Sequence, residues 1–423
     1  MKRLGMLKKW NNEIDSFSPY FFFPFILILY FFVSLFDFGK IEYFEADRNI
    51  LWAILAGLLS YLAAVHLVQK KNWMFPSMGL AFLKGKTKYF LYVLGAVGLA
   101  SYVMMLATGQ IGITDESVRR HLDPKLNFFS SFLWFSVLFL LCDRAVREHP
   151  LTKKQMRTYF VVLVIILLLL VLMGYRTPIV VMCFTVLIVF HYTIRRIKLS
   201  WLLAFLFVVG LSLSLFGFFR VITEDQTKEF NSHEGPNVEL SEEQANKDEV
   251  LLRKINETPK WVRGLTEVSV TGRIVLSKLM EYTDKHGYMY GKLHEGIFST
   301  VLPGEQLSPR MMITEMVNSL TVDKGKYVTR PGRTTTPTLL GQFYVEAGYW
   351  AIIIGFALYG VILSMLYNQM KQTGFASFQT IAYAFITTIF MISIHTGLLD
   401  LLFLLMIGYA IVSSAIERTR ANT

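Results

Sequence analysis

The sequence predicts an all-α protein: a polytopic transmembrane helical bundle of about ten spans with one large helical extracytoplasmic loop. Of its 423 residues, 53% are hydrophobic and 15% are aromatic, and the mean hydropathy is +0.44. Most of its apolar runs approach the roughly 20 residues that a helix needs to cross a bilayer. Phe, Trp and Tyr stand at the ends of many runs, as they do at membrane–water interfaces.

Ten apolar runs follow one another along the chain. We expect the first to be an uncleaved anchor, since Phe36–Lys40 offers no small-residue cleavage site. The fifth is short, so its hairpin with the sixth is expected to be tilted or partly re-entrant. The runs are 19–38, 49–68, 89–107, 128–142, 159–173, 177–192, 200–219, 348–367, 380–396 and 398–415. The predicted domains are seven spans (1–220), a loop or cap (221–337) and three further spans (338–423).

Lys and Arg are distributed unevenly between the two sets of loops. Six short segments, the two termini among them, carry 20 of these residues, whereas the three short loops on the opposite side carry 6. Cytoplasmic loops normally hold the excess, so both termini are predicted to be cytoplasmic and the segment 221–337 extracytoplasmic. The net charge of +11 does not indicate a nucleic-acid partner, because the cations are spread through membrane loops. Cys142 and Cys183 form no disulfide framework and no CxxC pattern, and no metal site is predicted.

The long loop is predicted to be a small helical cap. Ser241–Ile255 begins with a sequence that resembles a capping box, Val262–Tyr282 has apolar residues at helical spacing, and Ser308–Leu320 is a further short helix. Two prolines and a glycine predict irregular backbone over Thr329–Thr338. Hydroxyls, backbone amides and arginines on such backbone suit the binding of anionic oxygens.

Six arginines lie at or near the ends of apolar runs on the predicted outer side. They are Arg119, Arg120, Arg176, Arg220, Arg330 and Arg333. Cations kept beside the bilayer against the usual distribution are costly and tend to be functional, so we predict that they bind a multiply charged anion. The alternatives are arginines that snorkel to lipid headgroups and, for Arg119 and Arg120, a locally neutralised loop helix.

Three residues on the same side are candidate proton acceptors. His395 and Asp400 bracket the turn between the last two spans, and Glu346 lies just before the eighth span. Each of these residue types can act as a general base. The competing interpretations are a hydrogen-bonded helix–turn pair for His395 and Asp400, and a charge partner of an arginine for Glu346. No DxD-like motif or nucleotide-binding glycine motif is present, which argues against a soluble-type nucleotide-sugar transferase.

The chain resembles the Wzy-type O-antigen and oligosaccharide repeat-unit polymerases of bacterial membranes. The resemblance covers the whole architecture, with its many spans, its large outer loop late in the chain and its outer arginines. The local match is clearest in Gly174–Arg176 and in Thr329–Gly348, which the apolar segment Tyr349–Leu366 follows.

Two shorter patterns add to this resemblance. Arg330 and Gly341 fit an Arg-x10-Gly spacing described for an outer loop of such polymerases, although Arg253 and Gly264 fit it as well. The turn His395-Thr396-Gly397 is similar to a histidine-containing turn of the related O-antigen ligases.

The resemblance implies a metal-independent, cofactor-free glycosyltransferase of the membrane-embedded C type in the bacterial cytoplasmic membrane. It implies a donor glycan on undecaprenyl pyrophosphate, whose pyrophosphate the six arginines hold, and an acceptor hydroxyl on a second lipid-linked repeat unit. The lipid bilayer, a chain-length regulator and a flippase are the further implied partners.

Three rival functions stay open at this point. A ligase that moves finished polymer to another acceptor uses the same donor chemistry, and a structural partner of a cell-envelope complex would make the arginine pattern incidental. A flippase of lipid-linked oligosaccharides should show paired repeats and polar residues deep in the spans. Here the polar residues gather at one face, which favours catalysis at the membrane boundary.

Overall fold

The protein is described by a computed structural model in which most of the described residues are helical. The described residues are 15–77, 85–111, 123–148, 150–172, 176–205, 242–298, 301, 307–329 and 334–418. Within these ranges there are helices and no strand, which confirms the predicted all-α class.

Thirteen helices can be named within the described ranges. In chain order they are α1 (Phe22–Val33), α2 (Lys40–Tyr43), α3 (Leu51–Lys71), α4 (Thr87–Ala107), α5 (Pro124–Arg147), α6 (Lys153–Leu172), α7 (Arg176–Thr193), α8 (Glu242–Glu257), α9 (Lys260–His286), α10 (Pro309–Ser319), α11 (Thr338–Thr373), α12 (Phe378–Thr396) and α13 (Leu401–Arg418). Residues 199–205 are also helical, and Lys292–Phe298 and Val322–Lys324 are 3-10 helices.

Six of the described helices are long and apolar enough to cross a membrane: α3, α4, α5, α6, α11 and α12. Three shorter apolar helices, α1, α7 and α13, coincide with three more of the predicted spans. The predicted span 200–219 lies outside the described residues from residue 206 onward. The protein is therefore a polytopic membrane protein, and ten remains the predicted number of spans.

Two predicted elements differ from the structure in their lengths. The expected short span 159–173 is part of α6, whose 20 residues include a polar first turn and reach about 30 Å at 1.5 Å per residue. Helix α11 begins ten residues before the eighth predicted span, because Thr338–Glu346 is already helical, and the predicted span 348–367 lies in the part of α11 after a break. Ala347 and Gly348 leave helical geometry and break α11 there, with φ of 62° at Gly348.

The bundle has two ends that can be told apart by their contacts. At one end the Asp15 carboxylate accepts hydrogen bonds from the hydroxyls of Tyr192 (3.0 Å) and Tyr367 (2.7 Å). We call this the Asp15 end, and the other end, where α12 finishes at Thr396, the cap end. Helices α7 and α12 run antiparallel, since Tyr192 lies beside Tyr383 and Thr185 beside Thr388.

Aromatic side chains form much of the core between α1, α3, α11 and α12. The rings of Phe23 and Tyr61 stack with centroids 4.7 Å apart, and those of Tyr359 and Phe390 with centroids 3.7 Å apart. Such pairs contribute roughly 0.5–1.5 kcal/mol beyond the area that they bury. They hold together four helices, of which α1, α11 and α12 carry residues of the candidate site described below.

The residues 242–298 and 307–329 form what we call the cap segment, which contains α8, α9 and α10. Three helices predicted there from sequence are confirmed, and Ser308 caps α10 by accepting a hydrogen bond from the Met311 amide at 3.3 Å. The cap segment also closes the break in α11, where the amides of Met289 and Tyr290 donate to the carbonyls of Val345 and Glu346 at 2.9 and 3.1 Å. These carbonyls would otherwise lack partners at a helix end.

Candidate functional site

The three predicted proton acceptors surround one turn at the cap end of the bundle. This turn joins α12 to α13 and contains residues 397–400. His395 precedes it on α12, Asp400 ends it, and Glu346 is connected to it from α11 through His294 and Gln342. The sequence thus predicted residues that the fold brings together, although their individual contacts differ from one another.

His395 is half-buried and is held by residues from two distant parts of the chain. Its Nδ1 lies 3.0 Å from the Tyr30 hydroxyl, and its Nε2 lies 3.4 Å from Thr336 Oγ1. The Tyr30 hydroxyl donates its single proton to the Val268 carbonyl at 3.1 Å. It must therefore accept from His395, so Nδ1 carries the ring proton and Nε2 of the neutral ring is the proton acceptor.

A glycine makes the approach of Tyr30 possible. Gly272 lies on α9, and a Cβ at this position would collide with the Tyr30 hydroxyl. Without a side chain there, the hydroxyl of α1 can reach both α9 and α12. Next to it, Thr338 has φ of 60°, an uncommon value for a β-branched residue, and its Oγ1 accepts from the Gly341 amide at 3.1 Å.

Asp400 is bound by an arginine that the sequence analysis did not single out. Arg310, at the start of α10, donates to the Asp400 carboxylate through Nε at 3.1 Å and through Nη2 at 2.7 Å. Burial lowers the pKa of the guanidinium, but the adjacent carboxylate outweighs this effect and raises the pKa above its usual range. Arg310 is therefore a permanent cation, and Asp400 fixes its planar fork in place.

Glu346 is an occupied carboxylate. One of its oxygens accepts from the Gly291 amide, and the other lies 2.7 Å from Nδ1 of His294. The expected charge partner was an arginine, whereas the observed ionisable partner in the described part of the chain is a histidine. Both oxygens are thus engaged, which leaves Glu346 poorly suited to accept a proton from a substrate.

The predicted anion-binding arginines fall almost entirely outside the described residues. Arg119, Arg120, Arg220, Arg330 and Arg333 lie outside them, and only the backbone of Arg176 is described. Helix α7 begins at Arg176 and runs antiparallel to α12. The backbone of Arg176 therefore lies at the cap end, at the same end of the bundle as His395.

Sequence reasoning missed Tyr30, Arg310, Gln342 and Thr336. Thr336 and Gln342 stood inside segments already quoted for their resemblance to polymerases, but nothing separated them from their polar neighbours. Arg310 looked like any residue in a first helical turn, and Tyr30 like any aromatic residue in a span. No group of three or more His, Cys, Asp or Glu that could hold a metal ion occurs in the described ranges.

Comparison with known proteins gives one result for this chain. The family model described as "Putative O-antigen polymerase" matches residues 15–235 and 263–407. No curated protein matches the chain, and no solved structure matches it. The matched residues include most of the bundle, the candidate site and the larger part of the cap segment.

Proposed function

The chain belongs to the O-antigen polymerase family, and from this premise we propose that it joins lipid-linked oligosaccharide repeat units at the cap end of its bundle. Membership of the family implies a glycosyltransferase-type polymerase that acts on repeat units. The finer proposal is that the donor is a glycan on undecaprenyl pyrophosphate and the acceptor is a sugar hydroxyl of a second lipid-linked unit.

The observation that supports this proposal is the set of hydrogen-bond partners of the three candidate bases. Arg310 holds Asp400, and His294 and Gly291 hold Glu346. His395 presents a neutral acceptor nitrogen, Nε2, whose hydrogen-bonding neighbour is the hydroxyl of Thr336. A hydroxyl bound where Thr336 lies would meet a preoriented base.

In the proposed step, the acceptor hydroxyl oxygen attacks the anomeric carbon of the donor. The new C–O bond forms as the bond between the sugar and the pyrophosphate breaks, and the hydroxyl proton passes to Nε2 of His395. Polyprenyl pyrophosphate leaves with the bonding electron pair. The hydroxyl of Tyr30 then accepts a charge-assisted hydrogen bond from the imidazolium.

Negative charge develops on the leaving pyrophosphate, and guanidinium groups can stabilise it as a metal ion would. We propose Arg119, Arg120, Arg176, Arg220, Arg330 and Arg333 for this role, together with Arg310. Arg333 supports the proposal by its position, because it stands three residues before Thr336. Three residues of chain reach no further than about 11 Å.

We further propose that the cap end faces the outside of the bacterial cytoplasmic membrane. The charge distribution supports this orientation, since the loops on the predicted inner side carry 20 Lys and Arg against 6 on the other. Cysteine labelling near Lys154, after replacement of Cys142 and Cys183, tests it. Labelling of that position from outside by an impermeant reagent contradicts the orientation.

The proposed base is tested by comparing three variants in purified, lipid-reconstituted protein supplied with lipid-linked repeat units. His395→Ala should slow polymerisation at least about 100-fold, the usual contribution of a general base. Asp400→Asn should slow it less, because the amide oxygen of residue 400 can still accept one of the two hydrogen bonds from Arg310. If His395→Ala forms polymer at the wild-type rate while Glu346→Gln does not, the assignment of the base is wrong. Transfer of glycan to an acceptor other than a repeat unit indicates a ligase.

A further inference from the structure

A buried glutamine connects the cap segment with the turn that follows His395. Gln342 lies on α11 and is 3% exposed. Its Oε1 accepts from the Leu398 amide at 2.6 Å, and its Nε2 lies 3.4 Å from the Leu398 carbonyl. The side chain therefore binds both polar groups of one backbone residue in the turn.

The same side chain contacts the cap segment. Nε2 of Gln342 lies 3.1 Å from Nε2 of His294, in the 3-10 helix Lys292–Phe298. The Leu398 amide can only donate, so it fixes Oε1 of Gln342 as the acceptor and Nε2 as the amino group. His294 must then accept at Nε2 and carry its proton on Nδ1, which donates to Glu346 at 2.7 Å.

These residues form a row of hydrogen bonds, which we call the row, and each donor and acceptor in it is defined. The Gly291 amide donates to Glu346, Glu346 accepts from His294, His294 accepts from Gln342, and Gln342 accepts from Leu398. Gln342 and Glu346 stand four residues apart on α11, so they face the same side of one helical turn. A fully satisfied polar row of this kind fixes the geometry of the elements that it joins.

We propose that Gln342 is a positioning residue for the transfer reaction, and that Glu346 acts through it as a structural carboxylate. The row holds residues 397–400 at a fixed place relative to α11, and these residues connect His395 with Asp400 and its partner Arg310. The inference rests on the proposed function for its consequence in catalysis. The hydrogen-bond row itself is independent of that function.

The two hydrogen bonds of His294 run from Gln342 to His294 and from His294 to Glu346. Exchanging the glutamine and the glutamate reverses both of them, and this exchange provides the test. Gln342→Glu places a carboxylate opposite His294, so that the neutral ring with its proton on Nδ1 has no donor facing Nε2, and it also removes the donor to the Leu398 carbonyl. Glu346→Gln alone removes the carboxylate that orients Nδ1. In the double variant Gln342→Glu/Glu346→Gln, His294 can donate from Nε2 to residue 342 and accept at Nδ1 from residue 346. The contacts with the amides of Leu398 and Gly291 are kept.

We expect each single substitution to lower kcat about 10- to 100-fold, since displacing a reacting group by about 1 Å costs up to about 100-fold. The double variant should recover to within a few-fold of the wild type, with the KM for the lipid-linked donor little changed in all three. Gln379→Glu is the matched control, because Gln379 is also 3% exposed and donates to the Ser414 carbonyl at 3.2 Å near the Asp15 end. It should lower the melting temperature without lowering kcat of the folded protein.

Two results would overturn the inference: a double variant no more active than the weaker single variant, or two single variants that work at the wild-type rate. The first of these is the result expected if Glu346 itself takes part in catalysis. If Gln342→Glu does not fold, the comparison of the double variant with Glu346→Gln alone still decides. If the wild type makes no polymer, the proposed function fails, and recovery of the melting temperature in the double variant tests the row separately.

Discussion

Among single side chains, His395 differs from Glu346 and Asp400 in the hydrogen bonds that its neighbours make with it. The two carboxylates are satisfied by fixed donors, whereas His395 receives one hydrogen-bond acceptor, the Tyr30 hydroxyl, at Nδ1. Its Nε2 faces the hydroxyl of Thr336 at 3.4 Å, and we expect the acceptor hydroxyl to take this place.

Replacing Tyr30 with Phe should therefore impair turnover without removing the base. The charge-assisted hydrogen bond that Tyr30 accepts from protonated His395 contributes about 1.5–3 kcal/mol, which corresponds to about a 10- to 100-fold loss of kcat. Initial rates of polymer formation measure it. Tyr20→Phe is the control, because the Tyr20 hydroxyl also contacts a histidine, His66, at 3.3 Å, away from the site. Equal rates for both variants would refute the role of Tyr30.

Arg310 should not tolerate replacement by lysine. Lysine keeps the positive charge but loses the planar fork that meets Asp400 through two nitrogens, so Arg310→Lys should slow polymerisation nearly as much as Arg310→Ala, by about 100-fold. Arg253→Lys changes a highly exposed arginine paired with Glu257 and should have no effect. A fully active Arg310→Lys variant would show that charge alone is sufficient.

At the level of secondary-structure elements, the site depends on two interruptions of helices. The break at Ala347 and Gly348 frees carbonyls that the cap segment binds, and the turn 397–400 between α12 and α13 brings Leu398 to Gln342. Both interruptions are glycine-dependent, with φ of 62° at Gly348 and 66° at Gly397. The sequence predicted the turn after His395 but not the break at Ala347 and Gly348, and the structure shows what both bind.

Gly397→Ala tests the turn. A Cβ at residue 397 would lie 2.8 Å from Oε1 of Gln342, and the φ of 66° at this position is unfavourable for alanine. Gly374→Ala is the control. Its φ of 85° is also unfavourable for alanine, but a Cβ there meets no atom within 4 Å. Both substitutions should cost about 1 kcal/mol or more in stability, measured by thermal unfolding. Only Gly397→Ala should also lower kcat, and equal kcat values would contradict the coupling of this turn to the site.

Ion pairs join the cap segment to the loop around α2. Exposed pairs such as Lys40 with Glu267 connect the two. A buried pair, Lys326 with Asp248 at 2.9 Å, lies within the cap segment, and Lys326 also donates to the Tyr43 carbonyl. Exposed pairs contribute about 0–1 kcal/mol, whereas breaking a buried pair leaves a costly unpaired charge. The buried pair should therefore contribute most to the stability of the cap segment itself, and it holds Lys326 for its hydrogen bond to Tyr43.

Lys326→Met should destabilise the protein by about 3–5 kcal/mol, because Asp248 is then buried without a partner. The double variant Lys326→Met/Asp248→Leu should recover most of this loss. Thermal unfolding and proteolysis of the cap segment measure both. Lys247→Met, which removes an exposed pair with Glu42 at 4.0 Å, is the control and should change little. A double variant no more stable than Lys326→Met would contradict this account.

For the molecule as a whole, the sequence was a good guide to helices and a poor guide to contacts. Spans and cap helices could be predicted because hydrophobic period and capping residues act within a few positions. The pairing of Tyr30 with His395 joins residues 365 positions apart, and that of Arg310 with Asp400 joins residues 90 apart. Local pattern carries no information on such pairs, so the candidate bases were predicted but their partners were not.

The proposed polymerase must release one polyprenyl pyrophosphate for every glycosidic linkage that it forms. Purified protein reconstituted in lipid and given lipid-linked repeat units should yield a ladder of lengthened glycans and an equal number of released polyprenyl pyrophosphates. His395→Ala and Arg330→Ala should each lose both products together, at matched amounts of folded protein. Two results would contradict the proposed polymerase. One is a wild type that moves the lipid-linked units without covalent change, and the other is a pair of variants, Arg330→Ala and His395→Ala, that both build the ladder at the wild-type rate.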